Sequence, residues 1–518
     1  MKNNFYKTNN FRIMKALRFL TYITFFVGAL QGAKAQRTIS LAQQQEDFKI
    51  FRTGIQEMQP GADWFITPVR FNELCDSVYK SLTDNDKIEQ FGFKLRLCLA
   101  SLKAAHNGIN LPNGIYNKFN GLPFIIRYID GKPFIKVNCS PNQNILNGSE
   151  IISINGKLVN EFTNEFLQYC FLNGKNTSLG YQVLGINWDF VNLLKALHPA
   201  SNYDLEIIPF GKKEKIKLNI PIEPSDTVAK YYKIQMGRAI NDWNPNPKKL
   251  DYKLLDKNKK AGYLKIATFS SGDLGKKYKT ELKEIFNKIK NDNIENLIVD
   301  IRGNGGGDDD VEQYITSYFR AVPKDSSNAN LYLKSDKFTL MNFVEKAGNL
   351  EEDDKLLDSF IANPYSVVDK MSDGRFKIKA SLLADDIKEK PIMPNAFKGN
   401  VYLLQNGLTF SAACTFAFRL KKLIQNEGGF IKVIGEDNGY DADAGVASGG
   451  YFLNLLLPNS KIKVLLPIVA SGSLRPYTIP KVNFLDYKVI PTAKECVEEV
   501  DVELEFVKKL LEKNKNGS

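Results

Sequence analysis

The chain has 518 residues, 43% of them hydrophobic, with 70 basic and 58 acidic side chains and a formal net charge of +12. That length and apolar content suit about three globular domains whose cores need no covalent staples, and they exclude a disordered chain, a collagen-like repeat or a many-helix membrane bundle. The two histidines, His106 and His198, exclude HExxH metalloproteases and multi-histidine centres, so no metal or other cofactor is expected.

At the N-terminus, Lys15 and Arg18 precede an apolar run from Phe19 to Leu30, and Ala33-Lys34-Ala35 stands before Gln36. This pattern predicts an export signal over residues 1–35, with Met14 as an alternative start. The run of 12 residues is short of the about 20 needed to span a bilayer. The mature chain is therefore expected outside the cytoplasm, periplasmic, at the cell surface or extracellular, with no stable membrane insertion. Removing the signal takes six basic residues and no acid, lowering the net charge from +12 to +6. The remaining lysines, as in Lys276-Lys277 and Lys283–Lys290, alternate with acids like solvated helix faces. No basic stripe interleaves with aromatics, so nucleic acid is not an expected partner. The six cysteines, Cys75, Cys98, Cys139, Cys170, Cys414 and Cys496, form no C-x-x-C pair. They read as buried free thiols, although an even number in an exported protein permits disulfides.

Apolar spacing then predicts an N-terminal helical domain over residues 36–108, with helices around Asp47–Met58, Arg70–Ser81 and Lys87–Ala105. The last carries Phe91, Phe93, Leu95, Leu97, Leu99 and Leu102 and delivers His106 to a loop stopped by Gly108. Residues 109–223 change to short β runs. Phe124–Tyr128 turns at Asp130-Gly131 into Pro133–Val137, and Glu150–Ile154 turns at Asn155-Gly156, the Asx-Gly signal of hairpins. A polar linker follows over 224–260. From Gly262–Phe269 onward, residues 261–510 alternate strands with helices as an α/β core, interrupted by an insertion or lid at about 321–396.

Two segments of that core can carry chemistry. Asn296–Asp300 is a buried strand running into Ile301-Arg-Gly-Asn-Gly-Gly-Gly307 and three aspartates, Asp308 to Asp310. Aspartates there repel phosphate, and no Gly-Lys-Ser/Thr follows, so a phosphate cradle is a poor reading. Freed backbone N–H groups suit an oxyanion hole, and a plain tight turn is the alternative. The second segment is a strand, Val401–Leu404, a turn, Gln405–Phe410, and a helix from Ala412. It puts Ser411 at a helix N-terminus, where an unpaired N–H and the helix dipole favour a developing anion. A simple N-cap role for Ser411 is the alternative.

Taken together, Asn296–Gly307, Ser411 with its helix, Gly435-Glu436 before Asn438-Gly439, and the C-terminal Asp486–Thr492 and Asp501–Glu505 resemble the S41 peptidases, the tail-specific and tricorn-type serine proteases. The resemblance implies a multidomain α/β chain: a helical N-terminal part, a PDZ-like β module over 109–223, and a ClpP/crotonase-like ββα-spiral catalytic core. Gly148–Gly156 resembles the G-x-x-I-x-x-I-N-G core of PDZ domains, and Gly121-Leu-Pro-Phe124 falls where such domains hold a terminal carboxylate. Pro123 removes one backbone donor there. One S41 branch uses a Ser–Lys dyad with lysine after Gly-Glu, but Gly435–Asp443 contains none. The tricorn-like branch takes its base from a histidine just before the PDZ-like module, where this chain has Ala104-Ala-His-Asn107.

The resemblance thus implies an exported serine endopeptidase acting on proteins or peptides, with Ser411 as nucleophile and His106 as base. The N–H of Ala412 and that of Gly305 or Gly306 would hold the oxyanion. The third catalytic residue is unassigned: Pro476–Asp486 offers no glutamate, and Glu436 and Asp437 are candidates by proximity alone. A non-catalytic peptide-binding protein on the same scaffold is the alternative, motivated by the surroundings of His106, by Pro123, and by Val482 and Leu485 where the family has Gly and Pro. His198 reads as a surface or packing residue. An active enzyme should lose rate as pH falls through the imidazole pKa, ordinarily about 6.5.

Overall fold

The computed structural model describes residues 38–516 except 85, 113–119, 187–188, 240–247, 324–330, 348–354, 373, 383–388, 441–450 and 472–483. The expected export signal, with Ala33 to Ala35, and position Val482 lie outside the described residues.

The chain begins with three packed helices. Ser40 and Gln43 form a capping box that starts α1 (Leu41–Met58), and Thr67 with Pro68 at the first turn starts α2 (Pro68–Lys80). Phe48, Phe51 and Ile55 of α1, Phe71 and Val78 of α2, and Phe91, Leu95 and Leu99 of α3 (Ile88–Ala100) share one core. α3 stops at Ala100 rather than Ala105, because the chain tightens through Leu102→Leu99 and Lys103→Ala100 N–H···O bonds and Lys103 adopts φ 53°. His106 therefore sits on a turn, immediately before the short strand β1 (Gly108–Asn110).

A six-strand antiparallel sheet follows, in which a short strand, Lys157–Leu158, pairs off the main path. That path consists of β2 (Phe124–Ile129), β3 (Lys132–Asn138), β4 (Glu150–Ile154) and, beyond three helices, β5 (Asn202–Ile208) and β6 (Ile216–Pro221), in the order β6-β5-β4-β3-β2. The three helices, α4 (Val159–Leu167), α5 (Ser178–Ile186) and α6 (Asp189–Leu197), were not anticipated in a segment read as β. Each is only nine residues, and apolar runs that short do not separate helix from strand by periodicity. Phe166 of α4 and Phe190 of α6 bury against Ile135 and Leu205 of the sheet. The stretch expected to be a linker contains α7 (Ser225–Met236), closed by left-handed Gly237, and β7 (Leu250–Asp256).

The α/β part is a six-strand sheet. Its strands are β7, β8 (Ala261–Ile266), β9 (Asn296–Asp300), β11 (Asn400–Gln405), β12 (Ile431–Gly435) and β15 (Tyr487–Lys488), hydrogen-bonded in that order. All neighbours from β8 onward are parallel, and β7 is an antiparallel edge. Parallel neighbours need crossovers, supplied by α8 (Tyr278–Asn291) between β8 and β9 and by α10 (Ala412–Asn426) between β11 and β12. Phe286 of α8, Ile315 of α9 (Asp309–Thr316) and Phe416 of α10 pack into one core with Val299 and Leu403. The C-terminal helix α11 (Val502–Asn516) lies over Tyr402 and Ile434 through Val507.

A third sheet joins distant parts of the chain. β10 (Val344–Lys346), β13 (Phe452–Leu456) and β14 (Lys463–Pro467) are followed by β1, giving the order β10-β13-β14-β1. Ile109 of β1 pairs with Val464 of β14. Leu331, Leu333, Phe360 and Ile378 of the 321–396 segment share the core of α1–α3.

Candidate active site

The strand β11 ends at Gln405, and a tight loop of six residues leads to α10. Its hydrogen bonds explain its shape. Asn406 N–H donates to Thr409 Oγ1 (3.1 Å), Thr409 Oγ1 donates to the Ile301 carbonyl (3.0 Å), and Asn406 Oδ1 accepts from Gly303 N–H (3.0 Å). The two loops that end β9 and β11 are thus stitched to each other. Phe410 N–H donates to the Asn304 carbonyl at 2.9 Å.

Ser411 follows with φ 53° and ψ −128°, a conformation that L-residues resist and that accumulates at functional sites. Its side chain makes no cap hydrogen bond to α10. Instead, Ser411 Oγ lies 3.1 Å from His106 Nε2. His106 is 8% exposed, with its ring beside those of Phe410 (4.7 Å between centroids) and Phe452 (5.7 Å, stacked). Burial among these rings pushes the His106 pKa down to about 4, because an imidazolium loses its hydration there. The loss of activity expected near pH 6.5 from the sequence is therefore displaced to more acidic pH.

Beside the hydroxyl stands the glycine turn. Asn304, fully buried, donates from Nδ2 to the Ile266 carbonyl (3.0 Å) and accepts from Gly306 N–H at Oδ1 (2.9 Å). Gly306 lies at φ 102°, and a Cβ there would stand 2.7 Å from Ser411 Cβ and 2.9 Å from Ala412 N. Glycine is required by both its dihedral and this approach. The two candidate oxyanion glycines are distinguished: Gly306 N–H is engaged by Asn304, whereas Gly305 N–H makes no hydrogen bond among the described residues, and a Cβ added at Gly305 would meet nothing within 4 Å. Ala412, as the first residue of α10, has no intrahelical acceptor for its N–H.

Charged groups brace the site without entering it. Asp300, at the end of β9, receives Arg302 (2.7 Å), Lys265 (3.1 Å) and the Tyr263 hydroxyl. Burial opposes its ionisation, but Arg302 and Lys265 outweigh that and hold the carboxyl below its ordinary range. Arg302 also reaches Asp501 (2.7 Å) and Glu503 (2.9 Å), tying the turn to α11. Glu436 accepts from Arg127 of β2 (3.1 Å) and Gln182 of α5 (2.6 Å), and Asp437 is exposed. Neither acid is placed by these contacts to orient His106. His198 lies with Glu165 (2.9 Å) and edge-on to Phe162. All six cysteines are free thiols, five of them buried.

Sequence reasoning picked out Ser411, His106, Ala412, Gly305 and Gly306, and these lie together. It missed Asn304, Arg302, Arg127 and Gln182. Asn304 was hidden because asparagine in a turn is ordinary, and the others because their partners are remote in sequence. Among the described residues, no three His, Cys, Asp or Glu side chains form a metal-binding group, and no helix is long and apolar enough to cross a membrane.

Residues 260–442 match the family described as Peptidase family S41. The chain is also similar in structure to mature CPAF complexed with lactacystin, with a TM-score of 0.58 and 16% identity over 91% of this chain and 98% of that one. A second structure of mature CPAF gives a TM-score of 0.55 at 14% identity, over 91% of this chain and 96% of that one. No curated protein matches the chain.

Proposed function

We propose that this chain, whose residues 260–442 match peptidase family S41, a family of serine-type peptidases, is an exported endopeptidase with Ser411 as nucleophile and His106 as general base. The observation that carries the reading is the 3.1 Å contact between His106 Nε2 and Ser411 Oγ, across 305 positions of sequence.

In this mechanism neutral His106 takes the hydroxyl proton as Ser411 Oγ attacks the peptide carbonyl. The carbonyl oxygen becomes an oxyanion between the N–H groups of Gly305 and Ala412, each such donor being worth about 3–4 kcal/mol of transition-state stabilisation. The imidazolium then protonates the leaving amine, and water, deprotonated by the same imidazole, hydrolyses the acyl-enzyme. Burial favours neutral imidazole as the resting form, so the base is ready at every pH above its depressed pKa. The apolar rings of Phe410 and Phe452 fix the imidazole plane.

A fluorophosphonate probe tests the reading. Labelling of the wild type on Ser411, absent from Ser411→Ala and His106→Ala, supports it. A folded wild type that takes no label yet binds peptides supports the non-catalytic alternative.

A further inference from the structure

The strand edge through which a PDZ-like module takes up a peptide is occupied in this chain. β2 is the last strand of its sheet, and α5 lies along its outer side: a Cβ on Gly185 would stand 2.7 Å from the Ile126 carbonyl. Gly121 of the expected carboxylate loop is itself paired with Glu223. A peptide added to β2 as a further strand would have to displace α5.

On another face of the module lies a cavity of about 360 Å³ between the end of α4, the following loop and the turn that leads to His106. Lys103 and Lys175 line it, with Asn164, Gln168 and Thr177 as hydrogen-bonding side chains, and no carboxylate is in its wall. The Lys103 ammonium has no ion pair or hydrogen bond among the described residues, and burial lowers its pKa. Its backbone, at φ 53°, is in the left-handed region that side chains disfavour, and its carbonyl accepts from Gly174 N–H at 3.0 Å. The cavity wall is connected to the proposed catalytic residues on two sides. Lys103 is in the turn that carries His106. The loop after Gly174 is held by Asn176 Nδ2, which donates to the Asn438 and Tyr440 carbonyls (2.7 Å each), and the Tyr440 ring lies 6.4 Å from Phe410.

We propose that this cavity is a substrate subsite for a carboxylate, paired with Lys103 and hydrogen-bonded by Asn164, Gln168 and Thr177. The subsite rests on the peptidase reading for the identity of its ligand, a peptide. A half-buried ammonium without an acid partner is a strong site for an anion, because little water competes for it. Asn, Gln and Thr donors complete the ligation of a carboxylate. The carboxylate is the peptide's own C-terminus or an Asp or Glu side chain.

Binding to the Ser411→Ala protein separates these sources and requires no catalysis. Fluorescent peptides of one sequence are compared as free acid and C-terminal amide, and as amides carrying internal Glu or Gln. A carboxylate-bearing member should bind about 10-fold tighter than its neutral counterpart, the worth of one charged hydrogen bond. Free acid over amide assigns the C-terminus, and Glu over Gln assigns a side chain. The preference should vanish on adding Lys103→Gln and return with Lys103→Arg. Equal affinities for charged and neutral peptides, or a preference that survives Lys103→Gln, would overturn the subsite. If fluorophosphonate labelling fails while the preference appears, the peptidase reading falls and the carboxylate site stands.

Discussion

Ser411 and Asn304 show how much of the site depends on backbone held in place by single side chains. The unfavourable dihedrals of Ser411, the proposed nucleophile, are accommodated because the Phe410 N–H one residue earlier donates to the Asn304 carbonyl and because Gly306 leaves room for them. Asn304 Oδ1 takes the N–H of Gly306 and leaves Gly305 N–H as the donor proposed for the oxyanion. Asn304→Ala should therefore lower kcat by on the order of 10²-fold, comparable with losing one oxyanion donor, while KM changes little. Steady-state kinetics on a peptide substrate checks this, and an unchanged kcat would show that the turn sets itself. Ser411 was legible because a strand, a turn and an amphipathic helix succeed one another in plain periodicity. The work of Asn304 was not, because its acceptor Ile266 and its donor Phe410 are brought to it only by the sheet.

At the scale of elements, the end of β9 is the junction. Asp300 has a side chain 2% exposed and is neutralised chiefly by Arg302, which also binds Asp501 and Glu503 at the start of α11. Arg302→Met would leave Asp300 buried with Lys265 as its remaining cation and release α11 from the turn. Breaking a buried ion pair from one side costs about 3–5 kcal/mol, and urea unfolding should show a loss of that size. A loss below about 1 kcal/mol, the range of surface pairs, would mean the cluster is effectively solvated. α1 and α10 were legible from their apolar spacing, α8 from its charged, solvated face, and β4 from its Asn-Gly turn. α4–α6 were not, being short, and α3 ends early because packing of the following turn overrides a continuing apolar pattern.

Across the whole molecule, one strand pairing unites the site. β1 crosses from the N-terminal helices to pair with β14, and this places His106, two residues before β1, against the loop of Ser411. The mixed α/β character of the chain was visible in the texture of the sequence. The sheet β10-β13-β14-β1 was not, because its strands are short and come from three separate regions of the chain. The same pairing buries the imidazole beside Phe410 and Phe452, both from the far part of the chain, so the pKa of the base is a property of the assembled molecule.

That pKa makes the catalytic account measurable. The folded-state value lies below the unfolded one, so His106 is neutral and competent at higher pH and is lost as a base when pH falls through about 4. The rate of fluorophosphonate labelling at Ser411, measured against pH on folded protein, should be constant from pH 5 to 8. It should then fall tenfold per pH unit below about 4, and be abolished throughout in His106→Ala. A midpoint near 6.5, or labelling of Ser411 that survives removal of His106, would contradict a buried imidazole as the base.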